Sequence, residues 1–277
     1  MERYELKNLF DISGMSIAMT GGAGILGSEM AKAFAHLGAK VAILDLHKES
    51  AERVAKEIGD NEGNVLPLGC DVLNKESLKK ALDVILGKLG SVDVLVNCAG
   101  GNNPRATTSK ELSFFDIPED GMKFVFDLNL VGTIYSSQIF GKAMVDSGSG
   151  VIINISSMAA VRVLTKVPIY SAAKAGVSNF TQWLAVYMAQ EYSPKIRVNA
   201  VAPGFFLTNQ NRFLLIDEKT GNLTERGKKI IDHTPMGRFG DPKDLIGTMI
   251  WLISPASNFV TGVVVPVDGG FSVFSGV

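Results

Sequence analysis

The sequence predicts an α/β fold in which helices cover both faces of one doubly wound parallel sheet of about seven strands. Three observations support this prediction. Short apolar runs alternate with longer amphipathic stretches along most of the chain. The apolar runs are continuous, which is typical of strands buried on both faces. A glycine-rich turn joins the first apolar run to the first helical stretch, as at a ligand-binding edge of such a sheet.

The first half of the chain alternates strictly between predicted strands and predicted helices. Val, Ile and Leu dominate the strands, and each helical stretch is rich in Ala or amphipathic. Polar residues end three of the strands, namely Asp45, Asp71 and Asn97. The predicted strands cover 17–19, 40–44, 65–68 and 92–96. The first predicted helix follows the turn 20–27 and runs through about 37, and the next two cover 49–58 and 75–89.

The second half continues the alternation with longer elements. The predicted helices cover about 120–144, 169–192 and 245–254, and the strands cover 151–155, 196–201 and 263–267. Residues 203–235 show little regular patterning, so we expect a substrate lid over 203–240. Because there is no repeat, linker or low-complexity segment, we predict a single domain over 1–277 with an N-terminal arm over 1–13.

Composition argues against several classes of function. The 277 residues carry a net charge of −1, which argues against electrostatic binding to nucleic acid or to a membrane surface. Cys70 and Cys98 have no ligand or disulfide spacing, so we expect buried thiols, no metal and a reducing cytoplasm. The charged N-terminus predicts no signal peptide, and no apolar run is long enough to cross a bilayer.

The glycine-rich turn predicts a dinucleotide site. Gly22, Gly24 and Gly27 follow a predicted strand and open a helix, so backbone N–H groups can approach a pyrophosphate. Asp45 ends the next strand about 20 residues later, where a carboxylate can accept hydrogen bonds from ribose hydroxyls and repel a 2′-phosphate. We therefore expect NAD(H) rather than NADP, although His47 and Lys48 could soften that preference. An ordinary turn, with Asp45 as a helix N-cap, is the alternative.

Tyr170 and Lys174 lie four residues apart on one face of a predicted helix. A nearby ammonium favours the phenolate, so we expect Lys174 to lower the pKa of Tyr170. The pair could then transfer a proton during the interconversion of a carbonyl and an alcohol. The alternative is a half-buried helix with a lysine whose stem lies along it.

Taken together, these motifs resemble the short-chain dehydrogenase/reductase family over nearly the whole chain. The resemblance implies a Rossmann fold and a catalytic group of Ser157, Tyr170, Lys174 and Asn129, with Asn129 holding a water in a proton relay. It also implies a homotetramer, for which the apolar end 271–277 could provide an interface or could fold back on its own subunit. In the commonest family pattern the middle glycine stands where this chain has Ile25, and Gly24 instead resembles the extended branch.

The resemblance also implies a cofactor-binding set that reaches beyond the glycine turn. Asp71 would contact the adenine, Asn97 with its neighbours would contact the adenine ribose, and the segment after the sixth strand would bind the nicotinamide. The expected set is Gly21, Gly22, Gly24, Ile25, Leu26, Gly27, Asp45, Leu46, Asp71, Val72, Asn97, Ala99, Gly100, Tyr170, Lys174, Pro203, Gly204 and Thr208.

Amides and arginines in the predicted loops suit a hydroxylated acid better than a steroid or an acyl chain, because arginine can hold a carboxylate by two parallel bonds. The candidate substrate-binding residues are Asn102, Asn103, Arg105, Arg162 and Arg212. The segments 98–108, 202–212 and 233–240 resemble short-chain-type D-mannonate oxidoreductases, which implies reduction of D-fructuronate to D-mannonate. The alternatives are a gluconate 5-dehydrogenase-like reductase, an oxoacyl-carrier reductase, a hexuronate epimerase with transient oxidation, and a catalytically silent NAD-binding regulator.

Overall fold

The structure, a computed structural model, describes residues 8–59, 63–207 and 212–276. In these ranges seven strands form one sheet in the order β3-β2-β1-β4-β5-β6-β7, and every neighbouring pair is parallel. The predicted fold class is confirmed. The strands are β1 Ser16–Thr20, β2 Lys40–Asp45, β3 Val65–Gly69, β4 Val94–Asn97, β5 Gly150–Ile155, β6 Ile196–Pro203 and β7 Val264–Val267.

Helices cover both faces of the sheet, and one long helical segment is interrupted by a π turn at Asp127–Val131. The helices are α1 Ile25–His36, α2 Lys48–Ile58, α3 Lys75–Leu89, α4 Glu119–Phe126, α5 Gly132–Ser147, α6 Pro168–Glu191, α7 Arg212–Leu215, α8 Glu225–Asp232 and α9 Ile246–Ile253. The 3₁₀ turns are Pro104–Ala106, Phe114–Asp116, Met158–Ala160, Pro242–Leu245 and Pro255–Ser257. Within the described ranges, no helix combines the length and the apolar character that crossing a membrane would need.

The structure differs from the sequence prediction in the long loop after β6. Instead of irregular chain, this region contains the short helices α7 and α8. Thr224 caps α8 by accepting a hydrogen bond from the backbone N–H of Gly227 at 3.0 Å. Ile230, on the inner side of the same helix, is buried. Charged residues make up most of α8, so its narrow apolar side gave little periodic signal.

The core lies in two layers, one on each face of the sheet. Ile12, within the predicted N-terminal arm, is buried in one of these layers, so this part of the arm contributes to the core. The order of the strands reverses between β1 and β4, which are neighbours although two strands separate them in the chain. In such a sheet this reversal leaves a crevice at the carboxyl ends of the strands, where ligands bind.

Candidate active site

The glycine turn lies at this crevice, between β1 and α1. Gly21 has φ +61°, a left-handed conformation that glycine adopts without strain. A Cβ on Gly27 would lie only 2.5 Å from the carbonyl oxygen of Gly21, so the helix packs too closely here for any side chain. Gly24 is the N-cap of α1, with no side-chain cap and no acidic residue in the first turn. The N–H groups at this helix start therefore suit an anion.

Asp45 ends β2 beside the glycine turn. Its carboxylate accepts hydrogen bonds from the backbone N–H groups of Ala23 and His47, each at 3.3 Å. His47, rather than Asp45, is the N-cap of α2, so the interpretation of Asp45 as the helix cap is wrong. The adjacent Leu46 is exposed. The carboxylate is thus placed next to the turn, where a ribose would be expected.

The ends of β3 and β4 complete this side of the crevice. Asp71 accepts from the backbone N–H of Leu73 at 2.9 Å, and Val72 is buried. The Asn97 amide donates to Asn154 Oδ1 at 2.8 Å and to Ser137 Oγ at 3.0 Å, which ties β4 to β5 and α5. These bonds fix the end of β4, and the expected cofactor residues Ala99 and Gly100 follow directly after it.

Close backbone contacts shape the rest of the expected cofactor site. A Cβ on Gly21 would lie 2.6 Å from the Cα of Ala99, and one on Gly204 would lie 2.6 Å from the Cβ of Asp268. Pro203 is buried at the end of β6, whereas Thr208 lies outside the described residues. Three features fit a dinucleotide. They are the start of α1 without a side-chain cap, the carboxylate at the end of β2, and the glycine turn with its close backbone contacts.

Ser157 and Tyr170 meet on the other side of the crevice. Ser157 follows β5 and caps the 3₁₀ turn after it, because its hydroxyl accepts from the backbone N–H of Ala159 at 3.1 Å. Tyr170 is half-buried near the start of α6, and the Ser157 hydroxyl acts to lower the pKa of its phenol. Ser157 therefore caps the turn after β5 and also interacts with the phenol.

Lys174 lies one helical turn after Tyr170 and is almost completely buried. Its ammonium donates to the carbonyl of Ile155 at 2.7 Å and lies 5.7 Å from the centre of the Tyr170 ring. Burial lowers the pKa of Lys174 to about 8, and the nearby Cys98 acts in the opposite direction. The lysine therefore remains mostly protonated at pH 7 and loses its charge as the pH rises through about 8.

The predicted lowering of the Tyr170 pKa is wrong for the chain by itself. Burial raises the pKa of Tyr170, the hydrogen bond from Ser157 partly opposes this, and Cys98 raises it further. Burial disfavours the charged phenolate. The Lys174 ammonium does not reverse this, since it is bonded to a backbone carbonyl rather than to the phenol oxygen. The phenol is thus held in its protonated form, ready to donate.

Asn129 lies in the π turn between α4 and α5 and is fully buried. Its amide donates to the carbonyls of Gly101 at 2.7 Å and Val125 at 2.8 Å, and its oxygen accepts from the N–H of Gly101 at 3.0 Å. A Cβ on Gly100 would lie 2.8 Å from this oxygen and 3.0 Å from the Lys174 ammonium. Asn129 and Lys174 therefore meet at Gly100. Single π turns are frequent at functional sites, and the sequence carried no sign of this one.

The structure separates the five candidate substrate residues. Asn102 donates to the Thr107 hydroxyl at 2.7 Å, and Asn103 accepts from the N–H of Arg105 at 2.9 Å, so both amides stabilise their own loop. Arg105 is paired with Asp120 at 2.6 Å. Arg212 is exposed in α7. Arg162 lies in the loop between β5 and α6.

Sequence analysis missed the C-terminal segment as part of the site. The Arg162 guanidinium donates through Nε to the carbonyl of Ser272, 110 positions later in the chain. Phe271 packs edge-on against Phe205 with ring centres 5.1 Å apart. Phe271 and Ser272, at the start of the segment 271–277, therefore fold back on their own subunit. No sequence pattern links residues this far apart. Among the residues that the structure describes, no three His, Cys, Asp or Glu side chains cluster as a metal site would require.

Comparison with known proteins places these features in context. A family model described as enoyl-(acyl carrier protein) reductase matches residues 21–272. An uncharacterized oxidoreductase of Bacillus subtilis (strain 168), UxuB, is 49% identical over 276 residues, which cover 96% of this chain and 98% of the relative. The 7alpha-hydroxysteroid dehydrogenase of Escherichia coli (strain K12) is 32% identical over 94% of each chain.

A solved structure resembles the whole chain. The crystal structure of "a putative D-Mannonate oxidoreductase" from Haemophilus influenza with bound NAD superposes with a TM-score of 0.90 at 46% identity. It covers 96% of this chain and 98% of its own. The similarity therefore extends over both the glycine turn and the loops after β4, β5 and β6.

Proposed function

The chain belongs to the short-chain dehydrogenase/reductase family of oxidoreductases, and we propose that it uses NAD(H) to interconvert a ketone and a secondary alcohol on a sugar acid. The pair we propose is D-fructuronate and D-mannonate. The observation that carries the catalytic part is the meeting of Ser157, Tyr170, Lys174 and Asn129 beside the glycine turn.

The proton chemistry follows from charge and hydrogen bonding. Tyr170 donates its proton to the substrate oxygen during reduction and takes it back during oxidation. Ser157, which already acts on the pKa of the phenol, orients the same oxygen. Burial raises the pKa of Tyr170, so the phenol keeps its proton until the substrate oxygen takes it.

Lys174 and Asn129 connect this phenol to solvent. Both lie against Gly100, where Asn129 can hold a water that passes protons from the lysine outward. The pKa of Lys174, lowered by burial to about 8, suits a group that gains and loses a proton near neutral pH. Asn129 itself is fixed by backbone carbonyls on two sides.

The cofactor would lie along the carboxyl edge of the sheet. The start of α1 would hold its pyrophosphate, Asp45 the adenosine ribose, and Lys174 the nicotinamide ribose, with the segment from Pro203 beside the nicotinamide. When bound, the nicotinamide supplies or accepts the hydride, and its oxidised form places a positive charge beside the phenol.

Two observations support a sugar acid as substrate. The solved structure at 46% identity, described as "a putative D-Mannonate oxidoreductase" with bound NAD, covers 96% of this chain. The loop after β4 is polar at the carboxyl end of the sheet, with Asn102, Asn103 and Thr107 bonded to one another inside it. A polyhydroxylated substrate offers many hydroxyl groups to such donors and acceptors.

The test is a screen of NADH oxidation over keto acids derived from hexuronates and hexonates. We expect D-fructuronate to give the highest kcat/KM and 5-keto-gluconate a lower one. A preference for 5-keto-gluconate would support the gluconate 5-dehydrogenase-like alternative, and a preference for oxoacyl thioesters with NADPH would support the carrier reductase. A C5 epimerisation without net change in NADH would support the epimerase. No turnover of any of these compounds would support the regulator.

The same proposal includes a homotetramer. Phe180, Trp183 and Tyr187 stack along α6 with ring centres 6.4 and 4.9 Å apart. Trp183 is 56% exposed in the single chain, which is unusual for so large an apolar side chain. Light scattering would give the mass, and Trp183→Glu should dissociate the assembly if this row lies in an interface.

A further inference from the structure

Arg162 differs from two other arginines near the crevice. Arg105 and Arg238 each form an ion pair at 2.6 Å, with Asp120 and Asp244 respectively. Arg162 instead donates through Nε to a backbone carbonyl, and no carboxylate among the described residues lies within ion-pair distance of it. A carbonyl leaves the positive charge of the guanidinium uncompensated. The planar fork of Nη1 and Nη2 also remains available, and that fork matches a carboxylate.

The position of Arg162 connects it directly to the reacting residues. Its backbone N–H donates to the carbonyl of Met158 at 2.9 Å, which closes the turn that begins at Ser157. The side chain lines a groove of about 420 Å³ together with Pro168 and Ser171, which flank Tyr170 at the start of α6. The groove is thus lined by close chain neighbours of both catalytic hydroxyls, with Ala159 two residues after Ser157 and Ser171 next to Tyr170.

The groove also contains an unsatisfied polar group. The Ser171 hydroxyl is buried and has no hydrogen-bond partner in the part of the chain that the structure describes. Most of the other groove residues are apolar, so Arg162 is the groove's charged group, and the hydroxyls of Thr108 and Thr165 are neutral polar groups beside it. An anionic end of a ligand would therefore find its charged partner in this groove at Arg162.

The C-terminal turn holds the guanidinium in place. The Asp268 carboxylate accepts from the N–H groups of Gly270 at 2.9 Å and Ser272 at 2.8 Å, so the turn after β7 is rigid. Ser272 is buried. Its carbonyl fixes Nε of Arg162, and a guanidinium that is already oriented loses less entropy when it binds an anion.

We propose that Arg162 binds the carboxylate of the keto acid through Nη1 and Nη2, with the Ser272 carbonyl orienting it. This inference rests on the proposed function and names the residue that selects an acid in the same site. It also assigns Arg105 a different role, since its fork is already occupied by Asp120.

The test compares two substrates in three proteins. The substrates are D-fructuronate and the neutral ketose of equal length, D-fructose, in which a CH₂OH group replaces the carboxylate. The proteins are the wild type, Arg162→Gln and Arg162→Lys, with Arg105→Gln as the matched control. Binding of D-mannonate to the chain with NAD⁺ is measured in parallel by calorimetry.

In Arg162→Gln we expect the KM for the keto acid to rise about 10- to 150-fold, as for loss of hydrogen bonds to a charged group. The kcat should change little, and kcat/KM for the ketose should stay within about twofold, since that substrate has no carboxylate. Arg162→Lys should recover only part of the affinity, because an ammonium cannot form two parallel bonds. The dissociation constant of D-mannonate should rise by a similar factor as the KM in each variant.

The outcomes separate this inference from the proposed function. If the wild type turns over neither substrate, the proposed function fails. If the wild type prefers the acid and Arg162→Gln keeps that preference, the assignment of Arg162 is wrong. If kcat falls equally for both substrates, Arg162 only supports the turn that begins at Ser157, which also overturns the proposal.

Discussion

The two sides of the crevice, the proposed cofactor side and the proposed substrate side, are built by different means. On the cofactor side, backbone groups and one strand-end carboxylate define the site, and glycines such as Gly21 and Gly27 are required by contacts below 3 Å. On the proposed substrate side, segments distant in the chain meet, as where the Arg162 side chain donates to the backbone carbonyl of Ser272. A site built from backbone depends on local sequence, whereas a site built from distant side chains depends on the completed fold.

This difference predicts that each side can be damaged without the other. In the proposed function, the chemistry depends on the phenol of Tyr170 and the neighbouring hydroxyl of Ser157. The cofactor depends on the glycine turn and Asp45, which lie on the opposite side of the switch between β1 and β4. Variants of one side should therefore leave measurements on the other side nearly unchanged.

The largest effect is expected for Tyr170→Phe. Loss of the proton donor should lower kcat by about 10²- to 10⁴-fold, the range typical of general acid–base groups. The dissociation constant for NADH, measured by fluorescence, should stay within about twofold. Tyr135→Phe is the control, because it removes a hydroxyl but keeps the ring that lies 4.4 Å from the Lys75 ammonium. Turnover near wild type in Tyr170→Phe would contradict the proton-transfer role.

Asp45→Ser should change the choice of cofactor rather than the chemistry. Without the carboxylate, the ribose loses its acceptor and a 2′-phosphate is no longer repelled. The ratio of kcat/KM for NADH over NADPH should fall about 10- to 100-fold. Asp71→Ala is the control, since a contact to adenine affects both cofactors alike. A wild type that already prefers NADPH would contradict the role given to Asp45.

Sequence was sufficient where function depends on local backbone geometry. The glycine turn, the acid at the end of β2 and the parallel sheet were all predicted from runs of a few residues, and the sheet was confirmed. The Tyr170 and Lys174 pair was predicted from helical spacing, and the structure places the two side chains 5.7 Å apart, measured from ammonium to ring centre.

The sequence could not predict properties that depend on burial or on residues far apart in the chain. The direction of the Tyr170 pKa shift depends on how much of the ring is buried and on where the Lys174 ammonium points. The ion pair of Arg105 with Asp120 and the capping role of Asn103 appear only once the loops have folded. The amphipathic helix α8 was missed because its charged residues conceal a narrow apolar side.

Gly27→Ala tests the cofactor side alone. The added Cβ would lie 2.5 Å from the Gly21 carbonyl oxygen, so the start of α1 must move. Overpacking of this kind costs about 1–3 kcal/mol, and NADH affinity should fall about 5- to 150-fold. Gly87→Ala makes the same change in α3, where no atom lies within 4 Å of the new Cβ, and should stabilise the chain slightly. Equal NADH affinities in the two variants would show that the close contact is not needed.

The smallest effect concerns Lys174, where the two sides meet. Its pKa in the folded chain is about 8, below the value of an unfolded lysine near ~10.4, because burial disfavours the ammonium. Between these values the unfolded chain binds more protons, so the free energy of unfolding rises with pH. The gain should reach about 2 kcal/mol between pH 8 and 10, relative to Lys174→Met. Urea denaturation of the cofactor-free chain at several pH values measures it.

The control for this titration is Lys79→Met, which removes an exposed lysine paired with Glu76 at 2.7 Å. Its stability should follow that of the wild type across the same pH window, because an exposed ammonium suffers little loss of hydration. If Lys174→Met also followed the wild type, the ammonium would be solvated in the cofactor-free chain. The lysine would then stay charged through neutral pH, and it could not pass protons from Tyr170 toward Asn129 without help from the bound cofactor.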